Sequence, residues 1–80
     1  MPERKRLRLE IVRYLIARGA RSAEESIDAM EHFIGTGIRS ADYAEAITDL
    51  VSLRVIARGG SGEYVTDEGE SFLSPRRRKA

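Results

Sequence analysis

The chain has no cysteine and no tryptophan, a single histidine and two prolines. Without cysteine there is no disulfide framework, no zinc–thiolate site and no thiol nucleophile. A lone His32 cannot build a histidine metal site or a catalytic triad. No apolar run approaches the ~18 residues that a membrane span needs. The opening PERKRLRLEIVRYLIA is basic and then apolar, as a secretion signal is, but Glu10 and Arg13 interrupt its apolar part. It is therefore expected to be an uncleaved first helix of a cytoplasmic protein.

Eighty residues make one domain near the lower limit for folding on a single core. A core this small leaves a margin of only ~3–5 kcal/mol, so a second copy or a partner would matter for stability. Monomer and homodimer both fit. A catalytic site needs a nucleophile within reach of a base, or a perturbed acid–base pair. The serines have no histidine at suggestive spacing. The glycines of 59–62 lack the lysine and the strand–helix context of a phosphate-binding loop. The expectation is a non-enzyme with no metal and no cofactor.

What is present is segregated charge. The net charge of +1 hides a basic stretch over residues 1–21, with seven basic and two acidic groups. Residues 22–53 set Arg39 alone against seven carboxylates, and residues 54–73 are mildly acidic. Arg76, Arg77, Arg78 and Lys79 then make the last residues basic. Basic ends around an acidic middle allow nucleic acid or an uneven protein surface as partner.

Read in order, the chain predicts three helices, a hairpin and a short final helix. Pro2 and Glu3 suit a first turn, no breaker occurs before Arg18, and Gly19 suits a C-cap. Leu7, Leu9, Ile11, Val12, Tyr14, Leu15 and Ile16 fill an arc wider than half of this helix, which makes it the central helix of the core. Ser22-Ala-Glu-Glu25 has the spacing of a capping box. It predicts a second helix running from there to Gly35, with Ile27, Met30, Phe33 and Ile34 turned to the core. Ser40 is expected to cap a third helix ending near Leu53, with Tyr43, Ala44, Ala46, Ile47, Leu50, Val51 and Leu53 on its apolar face. Val55-Ile56 opens a strand, Gly59–Gly62 forms a hairpin tip, and Glu63-Tyr64-Val65 returns. Thr66 is expected to cap the last helix, with Phe72 and Leu73 folding back on the core. This organisation gives one domain over 1–74 and a basic, disordered tail over 75–80.

The run Ala46-x-x-x-Leu50-x-x-Leu53-x-Val55-Ile56, a glycine-rich tip, and Tyr64-Val65-Thr66-Asp67-Glu68-Gly69-x-x-Phe72-Leu73 resemble the winged helix-turn-helix superfamily, in particular small prokaryotic regulators of the MarR and PadR kind. The resemblance covers roughly residues 7–73. It implies a mainly α fold with a small β-hairpin, in the order α-α-α-β-β with a short C-terminal helix. It also implies a transcriptional repressor whose third helix enters the major groove while the wing touches phosphate or the minor groove. Two positions depart from the pattern. Where these families place glycine after the third helix, this chain has Arg54, which must take a costly left-handed conformation or end the helix differently. Where they turn polar and basic groups outward, it has Asp42, Glu45 and Asp49.

Two functions follow. In the first, double-stranded DNA is met by Arg39, Ser40, Tyr43 and Thr48 of the third helix. Arg58, Gly60 and Ser61 act from the wing, the backbone amides of 59–62 included, and Lys5, Arg6, Arg76, Arg77 and Arg78 add salt-dependent phosphate contacts. In the second, Asp42, Glu45 and Asp49 form an acidic face that docks on a basic protein partner, as in a phage or mobile-element modulator. The fold alone does not choose between them.

Overall fold

Helix α1 (Pro2–Ala17) opens the fold. The computed structural model describes the backbone of residues 2–69 and the side chains of residues 5–69. The expected Phe72–Leu73 contacts and the 75–80 tail lie outside the described residues. After α1 come a 3-10 turn (Ala23–Glu25), α2 (Met30–Gly35), α3 (Ser40–Ser52), β1 (Ile56–Arg58) and β2 (Glu63–Val65). Residues 67–69 then enter a helical turn. The chain is mainly helical with a small antiparallel hairpin, in a winged-helix-like layout. Among the described residues no helix is long and apolar enough to cross a membrane.

Leu7, Ile11, Val12 and Leu15 of α1 are buried, and they recur at the spacing that aligns one helix face. Leu9, Tyr14 and Ile16 are half-buried beside them. The wide arc is needed because α1 packs against both α3 and β2. Phe33, Tyr43, Ala46, Ile47, Leu50, Val55, Ile56 and Val65 complete the core. Fully burying a side chain such as Ile11, Leu15 or Leu50 stabilises by roughly 1.5–3 kcal/mol.

All three helices end in the same way. Ala20 N–H donates to the Leu15 carbonyl and Gly19 N–H to that of Ile16. Ile38 and Gly37 bond Phe33 and Ile34, and Val55 and Arg54 bond Leu50 and Val51, in the same two-bond pattern. This motif needs a left-handed residue after the helix. Gly19 and Gly37 supply it, and at the third helix Arg54 does, at φ 65°. Of the two outcomes open to Arg54, the chain takes the strained one.

The second helix is shorter than its capping box predicts. The stretch after Ser22 makes only one 3-10 turn, and α2 begins at Met30. Ser22 Oγ donates to Glu25 Oε1 at 3.3 Å instead of capping a backbone N–H. The helix is interrupted because 26–28 is recruited by the wing. Ile27 and Glu63 exchange both backbone hydrogen bonds, at 3.0 and 2.8 Å. Ser26 is buried, donates to the Ala23 carbonyl at 2.9 Å and accepts from Ser61 N–H at 3.0 Å. Asp28 Oδ1 accepts Met30 N–H at 3.0 Å and so opens α2 in place of Ser22.

The wing is correspondingly short and held down. Its register pairs Ile56 with Val65, Ala57 with Tyr64 and Arg58 with Glu63. The tip glycines serve close approach more than chain reversal. A Cβ on Gly62 would fall 2.1 Å from the Ile27 carbonyl oxygen, and one on Gly59 would fall 2.5 Å from Ser26 Oγ.

Candidate nucleic-acid interface

Helix α3 sits on the core by Tyr43, Ala46, Ile47 and Leu50. At ~100° per residue, the direction opposite that face is held by Ala41, Glu45, Thr48 and Ser52, with Ala44 on one flank, and all five are exposed. Ala44 and Leu53, expected on the apolar face, are exposed. Asp42 and Asp49 fall on the other flank and not on the outward row. Each is met there by an arginine. Arg8 Nη1 donates to Asp49 Oδ2 at 3.1 Å, and Arg39 Nε donates to Asp42 Oδ2 at 3.2 Å. The Arg8–Asp49 pair is partly buried, the Arg39–Asp42 pair exposed. Of the three carboxylates read as one acidic face, only Glu45 stands on the outward row.

Tyr43 is not available to a groove. It is 3 % exposed and stacks on Phe33 at 5.8 Å between ring centroids. Its Oη faces the Ala29 backbone without closing a well-formed hydrogen bond. Burial holds the phenol far above its ordinary range, with the Glu63 and Asp28 carboxylates adding to the effect. A tyrosine three residues into a helix whose core positions are 43, 46, 47 and 50 falls on the inner stripe, and that spacing is decisive.

The other expected contacts divide. Arg39, in the N-cap position, and Ser40, one residue later than a capping role requires, are exposed at the start of α3. Thr48 is exposed on the outward row. Lys5 lies one turn before Arg8, toward the α3 flank, whereas helical spacing sets Arg6 on the far side of α1 with Glu10 and Arg13. Arg58 is exposed at the end of β1, opposite Glu63. Gly60 and Ser61 are exposed, but Ser61 N–H is bound by Ser26 Oγ and Gly59 N–H by the Gly62 carbonyl at 2.7 Å. Those two amides are spent inside the molecule and do not serve a phosphate. Arg76, Arg77 and Arg78 lie outside the described residues.

Two features have no local signal in the sequence. Arg8 and Asp49 are 41 positions apart, and only the packing of α1 on α3 brings them together. An aromatic column also crosses from α1 to α3. His32 stacks on Tyr14 at 4.2 Å, meets Phe33 edge-on at 4.9 Å, and Phe33 continues to Tyr43. Arg18 lies 4.9 Å from the Tyr14 ring centre. His32, assigned no role by its spacing, is thus a packing element at the α1–α2 contact. Comparison with protein families, curated proteins and solved structures finds no match for the chain.

Proposed function

We propose that the chain binds duplex DNA as a small winged-helix transcriptional regulator, with the outward row of α3 in the major groove. The observation that carries this reading is the pairing of Asp49 with Arg8 and Asp42 with Arg39. Three unpaired carboxylates facing phosphates would oppose docking. With Asp42 and Asp49 each met by an arginine on the flank, the row that enters the groove is Ala41, Glu45, Thr48 and Ser52. Small side chains permit close approach, and the alanine and threonine methyls suit a thymine methyl. Lys5 toward the α3 flank and Arg58 on the wing are exposed and would supply phosphate contacts that position rather than specify.

The acidic-face alternative has less beneath it, because a docking surface of Asp42, Glu45 and Asp49 would first have to release two arginines of its own chain. The test is fluorescence anisotropy on random duplex DNA across a salt series. Log affinity should fall linearly with log salt. Lys5→Ala and Arg58→Ala should each flatten the slope by about 1. No association at low salt would sink the proposal.

A further inference from the structure

Strand β2 is fastened along its outer side to the segment between α1 and α2. Val65 N–H donates to the Ala20 carbonyl at 2.8 Å, and Glu63 and Ile27 exchange both backbone hydrogen bonds. Beyond Glu63, toward the tip, the fastening passes to one side chain. Ser26 is 4 % exposed. Its hydroxyl donates to the Ala23 carbonyl at 2.9 Å, which fixes the rotor and leaves the oxygen free to accept Ser61 N–H at 3.0 Å. Gly59 lies against the same oxygen, since a Cβ there would fall 2.5 Å from it. The hairpin ladder is three residue pairs long, and two strands of that length do not hold themselves together in water. Ser61 is exposed, so water would satisfy its N–H if Ser26 did not. What the Ser26 bond adds is a fixed place for the tip.

We infer that Ser26 is a positioning residue for DNA binding, acting through Arg58, a role that rests on the DNA-binding reading above. Arg58 is exposed and directly precedes Gly59, the residue seated on the Ser26 hydroxyl. A glycine-rich tip left untied samples many backbone conformations. A cation carried beside it would surrender that freedom on docking, and affinity would fall by the cost of ordering. Tied to Ser26, the tip is ordered when the chain folds, before any phosphate arrives. Lys5 stands on α1, a separate element, and gains nothing from the tie. The effect of Ser26 is therefore specific to one cation.

The test is a mutant cycle on the full chain, read by fluorescence anisotropy with duplex DNA at low salt and well below the melting temperature of each variant. Ser26→Ala should weaken binding about three- to tenfold. In an Arg58→Ala background it should change nothing further, whereas in a Lys5→Ala background its full effect should persist. A side chain that only supported the fold would weaken both backgrounds alike. Gly62→Ala attacks the same fastening from the wing, because its Cβ would meet the Ile27 carbonyl, and it should show the same dependence on Arg58. Ser26→Ala leaves the Ile27–Glu63 pair in place and decides alone if the Gly62 variant does not fold. Without DNA, hydrogen exchange at the Ser61 amide should quicken roughly tenfold in Ser26→Ala. Parental affinity in Ser26→Ala, an equal further loss in the Arg58→Ala background, or unchanged Ser61 exchange each overturns the positioning role and leaves DNA binding standing. A parent with no salt-dependent association overturns both together, and is told apart because no variant then differs from it.

Discussion

The Thr66 hydroxyl stands 2.6 Å from the carbonyl oxygen of Arg54, the one non-glycine residue at positive φ among those described. The same hydroxyl has the Val55 carbonyl at 3.1 Å and accepts Gly69 N–H at 3.1 Å. One side chain thus clamps the strained end of α3 and caps the turn that follows β2. Gly69 completes the joint, since a Cβ there would fall 2.1 Å from the Val55 carbonyl oxygen. The Thr-Asp-Glu-Gly run is a fastening between the two ends of the hairpin.

Arg54 holds a conformation that costs a side-chain-bearing residue roughly 1–2 kcal/mol. Arg54→Gly removes that cost and adds some unfolded-chain entropy. The net expectation is a gain of about 1 kcal/mol, seen as a Tm higher by roughly 4–8 °C for a domain of this size. Arg54→Val, branched at Cβ, should lower Tm instead. If thermal melts show the glycine variant below the parent, strain at this position is not the governing term.

Thr66→Val keeps the shape of the side chain and removes the hydroxyl. It strands a cap and a carbonyl contact together, for a loss of about 1–2 kcal/mol. Thr66→Ser should recover most of it. Urea denaturation of the three proteins decides the point, and equal midpoints for Val and Thr would show that the fastening contributes nothing.

The two paired carboxylates of α3 should respond differently to removal. The Arg39–Asp42 pair is exposed, and such pairs contribute ~0–1 kcal/mol. Asp42→Ala should therefore barely move stability while raising DNA affinity several-fold at low salt, by freeing Arg39 and deleting a charge. The Arg8–Asp49 pair is partly buried, and Arg8 Nε already lacks a partner. Asp49→Ala should cost about 1–2 kcal/mol of stability. Equal stability losses in the two variants would contradict this division.

The element order and the core were legible because they rest on short-range pattern. The 3.6-residue recurrence of Leu7, Ile11 and Leu15, the Gly19 and Gly37 stops, and the glycine-rich tip all act locally. The boundary of α2 was not legible. Ser22 and Glu25 do carry the capping spacing, but Ile27 is claimed by Glu63, 36 positions along the chain, and strand pairing there overrides the local preference for helix. The pairing of Arg8 with Asp49 was not legible for the same reason. Counting charges along α3 puts Asp42, Glu45 and Asp49 on one face, whereas only tertiary packing reveals that Arg8 cancels Asp49. Tyr43 was misassigned for a different reason, since its own helical spacing already placed it inside.

Glu63 offers a pH test. Burial raises its pKa above the ordinary glutamate value, the Asp28 carboxylate adds to the shift, and Arg58 across the strand offsets part of it. The folded chain therefore binds this proton more tightly than the unfolded chain does. Stability should fall as pH rises from the ordinary glutamate range through the raised folded value, and then level off. Glu63→Gln removes the titration, so it should be more stable than the parent at neutral pH. Well below the ordinary range the advantage should vanish. Chemical denaturation at the two pH values checks the sign, and a parent that gains on the variant as pH rises would reverse the argument.

Tyr43→Phe separates a core tyrosine from a DNA-reading one. The Oη is buried beside the Ala29 backbone with no well-formed partner, and an unsatisfied buried hydroxyl costs about 1–3 kcal/mol. Deleting it leaves the Phe33 stack in place, so stability should hold or rise by up to about 1 kcal/mol. DNA affinity should be unchanged at every salt concentration, because the lost atom faces the α2 start and not the outward row of α3. A fall in affinity with unaltered stability would mean that Tyr43 leaves the core on binding, and that α3 docks by a different face from the one described by Ala41, Glu45, Thr48 and Ser52.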